Sequence, residues 1–204
     1  MRKFNYPTIV IGAGAAGLVV AIGMAKAGRK VLLIEAGLYG GDCTNFGCIP
    51  SKTLIAASKA GGRVSGAEAL QRVRATVAAV RSHEEAAELH ALGIDTLEGR
   101  ACFVDPHVLH VHLNDGADQH ISGKHIVIAT GSRPFIPSID GLNDVPYRTN
   151  ETIFDLDQIP ARLAILGGGP IGCELALAFQ RLGSSVSILQ NQARLLPRDE
   201  PEAS

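Results

Sequence analysis

The chain has 204 residues, 46% of them apolar, and a formal net charge of −1. That is room for one domain or one and a fraction, with enough apolar material for a real core. The near-zero charge removes any electrostatic case for nucleic acid or an anionic membrane as partner, and four cysteines are too few for a disulfide scaffold.

Thr8 to Ile11 reads as a short buried strand of mostly β-branched residues. Arg2 and Lys3 precede an apolar run from Ile9 to Ala25, the outline of a signal peptide. Gly12, Gly14, Gly17 and Gly23 interrupt that run at binding-loop spacing, which argues against the outline. The run is also short of the ~20 residues a membrane span needs. No membrane association is expected, and the cytoplasm is the expected location.

Gly12-Ala13-Gly14-Ala15-Ala16-Gly17 should turn the strand into a helix that runs to about Ala27 and stops at Gly28. Lys30 to Ile34 is the next strand, ending at Glu35. In a G-x-G-x-x-G loop the first glycine supplies a tight turn. The second lets the backbone approach a pyrophosphate, and the third lets helix pack on strand. The helix start offers free N–H groups and partial positive charge to phosphates. Glu35 stands eighteen residues past Gly17, where a carboxylate accepts ribose hydroxyls. Strand, loop, helix and acid together predict a dinucleotide site.

Directly after this unit comes Gly40-Gly41-Asp42-Cys43-Thr44-Asn45-Phe46-Gly47-Cys48-Ile49-Pro50-Ser51-Lys52. Its two cysteines could be a structural pair, half a metal site or a redox pair. Zinc would need two further ligands, and no metal site is expected. On a regular helix, residues five apart have Cα atoms roughly 8.5 Å apart, beyond disulfide reach. A redox pair therefore needs distorted backbone between the thiols, which Asn45 and Gly47 permit. Pro50 suits a first helical turn. That puts Cys48 near the positive end of a helix, with Lys52 one turn on.

Helix is expected from about Ser51 to Lys59 and, after Gly61-Gly62, from Ala67 to about Ala91. From Asp95 to Ile121 short strands alternate with turns at Asp105-Pro106 and Asn114-Asp115-Gly116. His110 and His112 alternate with Leu109, Val111 and Leu113, so they share a solvated strand face. Lys124 to Ala129 is a further strand closing on Thr130-Gly131-Ser132. Pro134, Pro137, Pro146 and Pro160 mark a linker, which divides the chain into domains at 1–150 and 151–204.

A strand beginning at Arg162 then leads into Gly167-Gly168-Gly169-Pro170-Ile171-Gly172. A helix to about Leu182 and a strand from Ser185 to Leu189 follow. This second G-x-G-x-x-G has Gln190 where the first has its acid, and Arg194 lies just beyond. An acid would favour ribose hydroxyls and arginines a 2′-phosphate, so NADH or NADPH stays open. Cys102 and Cys173 fall in strand and helix and read as inert buried thiols.

These residues resemble the pyridine nucleotide-disulfide oxidoreductases of the dihydrolipoamide dehydrogenase, glutathione reductase and mercuric reductase type. The resemblance runs the length of the chain. It rests on Gly12 to Gly17, Glu35, the Gly-Gly-x-Cys-x4-Cys-x-Pro-Ser-Lys stretch, Ala129-Thr130-Gly131-Ser132-Arg133-Pro134, and Gly167 to Glu174.

What it implies is an α/β chain: a Rossmann-like FAD-binding domain with a small β-meander, then the first βαβ of an NAD(P)-binding Rossmann domain. FAD would be held by Gly12, Gly14, Ala15, Gly17, Glu35, Ala36, Gly41, Asp42, Cys43, Lys52, Ala101, Ala129, Thr130 and Gly131. NADH or NADPH would be held by Gly167, Gly169, Pro170, Ile171, Gly172 and Gln190. Cys43 would be the thiol that attacks substrate, and Cys48 the one lying over the flavin. Lys52, paired with Glu174, would sit near the flavin ring. Electrons would pass from NAD(P)H through FAD to a Cys43–Cys48 disulfide, and on to a small-molecule or protein disulfide or to Hg2+.

Asp42 departs from the more usual threonine before the first cysteine, which bears on subfamily more than on fold; Phe46 and the Phe179-Gln180-Arg181-Leu182-Gly183 to Leu196-Pro197-Arg198 run lean toward the mercuric branch. Family members are longer, so the chain is expected to be an N-terminal part of a homodimeric protein. By itself it would lack the domain that supplies a catalytic His-Glu pair. The alternative is a non-catalytic FAD-binding module.

Overall fold

The computed structural model describes residues 3–204; Arg2, half of the basic pair ahead of the apolar run, lies outside them. The elements are β1 (Tyr6–Ile11), α1 (Ala15–Lys26), β2 (Val31–Glu35), α2 (Gly41–Asn45), α3 (Cys48–Ser58), α4 (Gly66–Arg81), α5 (Ala86–Ala91), β3 (Ile94–Asp105), β4 (Val108–Leu113), β5 (Asp118–Ile128), β6 (Arg162–Leu166), α6 (Pro170–Arg181) and β7 (Ser185–Leu189). They pack as two compact units that do not follow chain order. The first holds the chain up to Asn45 together with Ala78–Leu142. The second holds Phe46–Val77 together with Asn143–Ser204.

In the first unit β1 lies parallel between β2 and β5, and β2 pairs in parallel with the start of β3. The long strands β3 and β5 each change partner midway. Ile94 to Glu98 pair with β2, and Gly99 to Asp105 pair antiparallel with β4. Asp118 to Ser122 pair with β4, and Gly123 to Ile128 pair with β1. The five strands close into a ring.

Glycines stand at both changes of partner. A Cβ at Gly99 would come within 2.5 Å of the His112 carbonyl oxygen, and one at Gly123 within 2.8 Å of Ile9 Cδ1. Glycine lets the backbone of β4 approach closely at Gly99 and leaves room for the Ile9 side chain at Gly123.

The central strands β1 and β2 are buried on both faces, as their continuous apolar runs require. On one face Val10, Leu33, Val31, Leu18, Leu89 and Ile94 form a core under α1 and α5. On the other, Ile9, Leu32 and Ile34 meet Leu109, Val111 and Ile121 of the meander. This is the Rossmann-type layer with a small β-meander that the sequence predicts.

The second unit is a parallel pair, β6 and β7, packed with α3, α4 and α6. Its core contains Leu54, Leu70, Val73, Leu175 and Phe179. Ile153 and Phe154 join that core, so the proline-punctuated stretch is more than a linker. Both strands alternate between exposed and half-buried residues.

Two expectations are corrected. The single helix foreseen over 67–91 is two helices. α4 ends at Arg81, a turn follows in which His83 N–H donates to the Val80 carbonyl at 3.1 Å, and α5 restarts with Glu85 as its cap. The reason is packing: Leu70 and Val73 of α4 serve the second unit's core, and Leu89 of α5 serves the first.

Cys102 and Cys173 are not buried thiols. Cys102 is exposed, opposite His110 on the outer face of the meander, and Cys173 is half-buried, its Sγ donating to the Gly168 carbonyl at 3.5 Å. Alternation along β3 puts Cys102 on the face away from Ala101, which packs inward. No helix among the described residues is long and apolar enough to cross a membrane.

Candidate active site

The first glycine loop leaves β1 at Gly12, whose φ of +103° is open to glycine and costly for other residues. Its N–H donates to the Ile34 carbonyl at 2.7 Å, tying the loop to β2. A Cβ at Gly12 would strike the Ala129 carbonyl, and one at Gly17 would strike the Gly12 carbonyl. Gly14 caps α1 in extended backbone without a side-chain partner, so the first-turn amides stay available to an anion.

Glu35 lies beside the loop. Its Oε2 accepts from Ala13 N–H at 2.6 Å and its Oε1 from Gly37 N–H at 2.7 Å. Those two bonds orient the carboxylate and leave lone pairs for hydroxyl donors. Ala36 is exposed next to it.

The cysteine segment docks on this loop through glycine. Gly40 N–H donates to the Ala13 carbonyl at 2.9 Å, and a Cβ at Gly41 would come within 2.6 Å of Gly14 Cα. Gly41 also has φ of +56°. α2 then carries Asp42, exposed, and Cys43, half-buried. Asn45 braces it: its Nδ2 donates to the carbonyls of Tyr39 at 2.8 Å and Gly41 at 2.9 Å. The sequence suggests Asn45 only as a residue tolerant of distorted backbone. The buried side chain shows the stronger reason.

Cys48 opens α3 in the second unit, exposed at the helix's first position. Between the two helices Gly47, at φ −122° and ψ −107°, breaks the helical path. Lys52 Nζ donates to both carboxylate oxygens of Glu174 on α6, at 2.8 and 2.6 Å. Both side chains are substantially exposed, so the pair adds at most about 1 kcal/mol of stability. Its structural effect is to fix the Lys52 ammonium on one side of α3.

β5 ends at Ile128, and Ala129 N–H still donates to the Ile11 carbonyl at 2.8 Å. Thr130 and Gly131 follow, exposed, with Gly131 at φ +67°. This segment lies against the first loop, since Gly12 has Ala129 and Thr130 as neighbours. Ala101 is further along β3, opposite Val111. The nearest neighbours of Gly12, Gly14 and Gly41 are backbone atoms, so the loop is built by close backbone packing. That fits a group whose phosphates lie on backbone.

The second loop repeats the geometry. Gly167 has φ of +102°, its N–H donates to the Leu189 carbonyl at 2.8 Å, and a Cβ at Gly172 would strike the Gly167 carbonyl. Gly169 caps α6 in extended backbone, with Pro170 at the first helical position and Ile171 exposed after it. Gln190 directly follows β7. Its Nε2 donates to the Arg194 carbonyl at 3.3 Å.

Sequence reasoning gave no role to Tyr39 and Gly40, which link β2 to α2. Two consecutive glycines ahead of an Asp-Cys were the available signal.

Two G-x-G-x-x-G loops of matching geometry, with a cysteine-bearing helix docked on the first, characterise this chain. The chain belongs to the pyridine nucleotide-disulphide oxidoreductase family, which it matches over residues 6–204. It is 39% identical to a mercuric reductase of Streptomyces lividans over 216 residues, covering 98% of this chain and 45% of that protein. It is 38% identical to the probable pyridine nucleotide-disulfide oxidoreductase RclA of Escherichia coli (strain K12), covering 96% of this chain and 44% of that protein. Among solved structures, the HOCl-induced flavoprotein disulfide reductase RclA from Escherichia coli aligns with a TM-score of 0.87 at 36% identity, covering 97% of this chain and 45% of that one. A Cu(II) complex of that flavoprotein aligns with a TM-score of 0.86 at 37% identity, covering 96% and 44%. The chain thus spans less than half the length of the relatives it matches.

Proposed function

We propose that this chain is the flavin and thiol part of a reductase that moves an electron pair from NAD(P)H to Cys43 and Cys48. The thiols would pass it on to a disulfide or to Hg2+. The observation that carries this reading is α2, which bears Cys43, docked through Gly41 onto the Gly12–Gly17 loop. Residues 1–150 would hold FAD and residues 151–204 would begin the nicotinamide domain. The protein would act as a cytoplasmic homodimer.

Glu35 would accept the ribose hydroxyls with the lone pairs its two backbone bonds leave unused. Gly12, Gly14 and the first amides of α1 would take the pyrophosphate. FAD, when bound, would supply the relay between a two-electron donor and a dithiol. The balanced outcome is NAD(P)H, a proton and a disulfide giving NAD(P)+ and two thiols.

Cys48 at the start of α3 would face the flavin, with Lys52 held beside it by Glu174. Cys43 would attack substrate. Asp42 next to Cys43 would favour a cationic substrate, and the resemblance to mercuric reductases agrees with that.

Purified protein reconstituted with FAD and reduced by NADH or NADPH should develop a long-wavelength thiolate-to-flavin absorbance band. Cys48→Ser should abolish the band and Cys43→Ser should keep it. If both variants behave like the unmodified protein, the thiol roles are wrong. If no flavin band appears at all, the cofactor assignment is wrong.

A further inference from the structure

The loop after β7 carries information about which nicotinamide nucleotide is accepted, provided that the Gly167–Gly172 loop holds that nucleotide as proposed above. We propose that the site takes NADH in preference to NADPH, because Arg194, the first cation after β7, is committed to its own loop.

The two βαβ units set the comparison. Gln190 stands twenty-three residues after Gly167, as Glu35 stands twenty-three after Gly12. This is the position that meets the adenosine ribose, where a carboxylate takes the hydroxyls and a nearby arginine takes a 2′-phosphate. Gln190 carries no charge. Its Nε2 donates to the Arg194 carbonyl at 3.3 Å, and its Oε1 accepts from Asn191 N–H at 3.2 Å.

Arg194 is the one early cation that could serve a phosphate, and one arm of its guanidinium is already used. Nη2 donates to the carbonyls of Asp199 at 2.7 Å and Pro197 at 3.3 Å. Nη1 is buried, with no acceptor among the described residues. The loop it clamps is tight. Leu196 has φ of +46°, the one positive value outside glycine among the described residues. Leu196 N–H donates to the Gly168 carbonyl at 2.7 Å, which seats the clamped loop on the glycine loop itself.

A 2′-phosphate could recruit Arg194 only by drawing out the buried Nη1 or by breaking the Nη2 carbonyl bonds, and either change loosens that seat. The segment after the clamp, Arg198 to Glu202, adds Asp199, Glu200 and Glu202, three exposed acids against the single exposed Arg198, so its charge does not favour a further phosphate. A ribose diol meets neither obstacle and finds amide hydrogen-bonding capacity at Gln190. Arg194 is therefore a positioning residue: it shapes the loop and does not read the phosphate.

Calorimetric titration of the FAD-loaded chain with ADP-ribose and with 2′-phospho-ADP-ribose tests this without turnover. Flavin reduction by NADH and by NADPH runs beside it. The expected result is a preference of at least about tenfold for the unphosphorylated ligand in both assays, within the range a single polar discrimination supplies. Gln190→Glu should widen the preference. Arg194→Ala should weaken both ligands together and leave their ratio within about twofold. Gln190→Glu gives up only the 3.3 Å bond to the Arg194 carbonyl, leaves the guanidinium clamp in place, and gives the answer if Arg194→Ala does not fold.

Equal binding, a preference for the 2′-phosphate, or a selective loss of 2′-phosphate binding in Arg194→Ala would overturn the proposal. Binding of neither ligand would remove the nicotinamide reading of the loop, and the preference with it.

Discussion

The two βαβ units share a loop and differ in what surrounds it. Gly14 and Gly169 cap their helices at the same φ of −78°, with ψ of −176° and 179°. Gly12 and Gly167 have φ of +103° and +102°. The third glycine of each loop has the carbonyl of the first where its Cβ would be. These features belong to the loop itself.

The first glycine differs. At Gly12 an added Cβ would strike Ala129, which follows β5, whereas at Gly167 nothing lies within 4 Å. The strands differ likewise. β2 is buried through Val31 to Ile34, whereas β7 has no residue fully buried. A motif fixes the turn. Neighbouring strands decide how much each residue of it is worth.

The difference is largest at matched strand positions. Leu33 and Ile188 each stand twenty-one residues after the first glycine of their loop, but Leu33 is fully buried and Ile188 only half-buried. Leu33→Ala should cost about 3–5 kcal/mol through lost transfer energy and a cavity. Ile188→Ala should cost about 1–2 kcal/mol, since part of its surface is already wet. Denaturant unfolding of the two variants measures both. Equal losses would show that the second unit is better packed than its strands suggest.

The glycine pair gives the next effect. Gly167→Ala meets only the positive φ, about 1–2 kcal/mol. Gly12→Ala meets the same φ and the Ala129 carbonyl, so overpacking of about 1–3 kcal/mol adds to it. Gly12→Ala should therefore lower the melting temperature clearly further than Gly167→Ala. A reversed order would mean that the Ala129 segment yields easily and does not confine the first loop.

Much of this was legible in the sequence because it is local. The strand-loop-helix pattern, the helix broken at Gly47 and the offset of Glu35 all follow from residues within one supersecondary unit. The Lys52–Glu174 pair was legible only through family resemblance.

What was illegible depends on distant partners. Nothing in Gly99 or Gly123 says that a strand will trade a parallel neighbour for an antiparallel one there. The apolar spacing over 67–91 runs on through Arg81, although α4 and α5 serve different cores. Residues after Pro160 alone look too few to support a core. The second unit supplies what is missing from α3, α4, Ile153 and Phe154, which chain order conceals.

The smallest expected effect concerns the start of β1. Burial pushes the Tyr6 phenol from its ordinary 10.0 up to about 12, helped by its hydrogen bond to Asp95 and that carboxylate's negative charge. Lys30 Nζ lies 4.5 Å from the Tyr6 ring centroid and 3.6 Å from Asp95, which keeps the three together. Tyr39, also in the first unit, is pushed up chiefly by burial.

Between pH 10 and 12 the folded state keeps a proton on Tyr6 that the unfolded chain has lost. This contribution to stability is whole below pH 10 and falls away as pH rises toward 12. Phenolate absorbance should therefore show Tyr6 titrating near 12, and Tyr6→Phe should flatten the alkaline loss of stability. The second unit has no such phenol at the start of β6, where Arg162 stands exposed. Alkali should then weaken the two-sided sheet before the two-stranded one. If Tyr6 titrates at its ordinary value, the start of β1 is open to water and the contrast between the units is smaller at that end of the strands than in their centres.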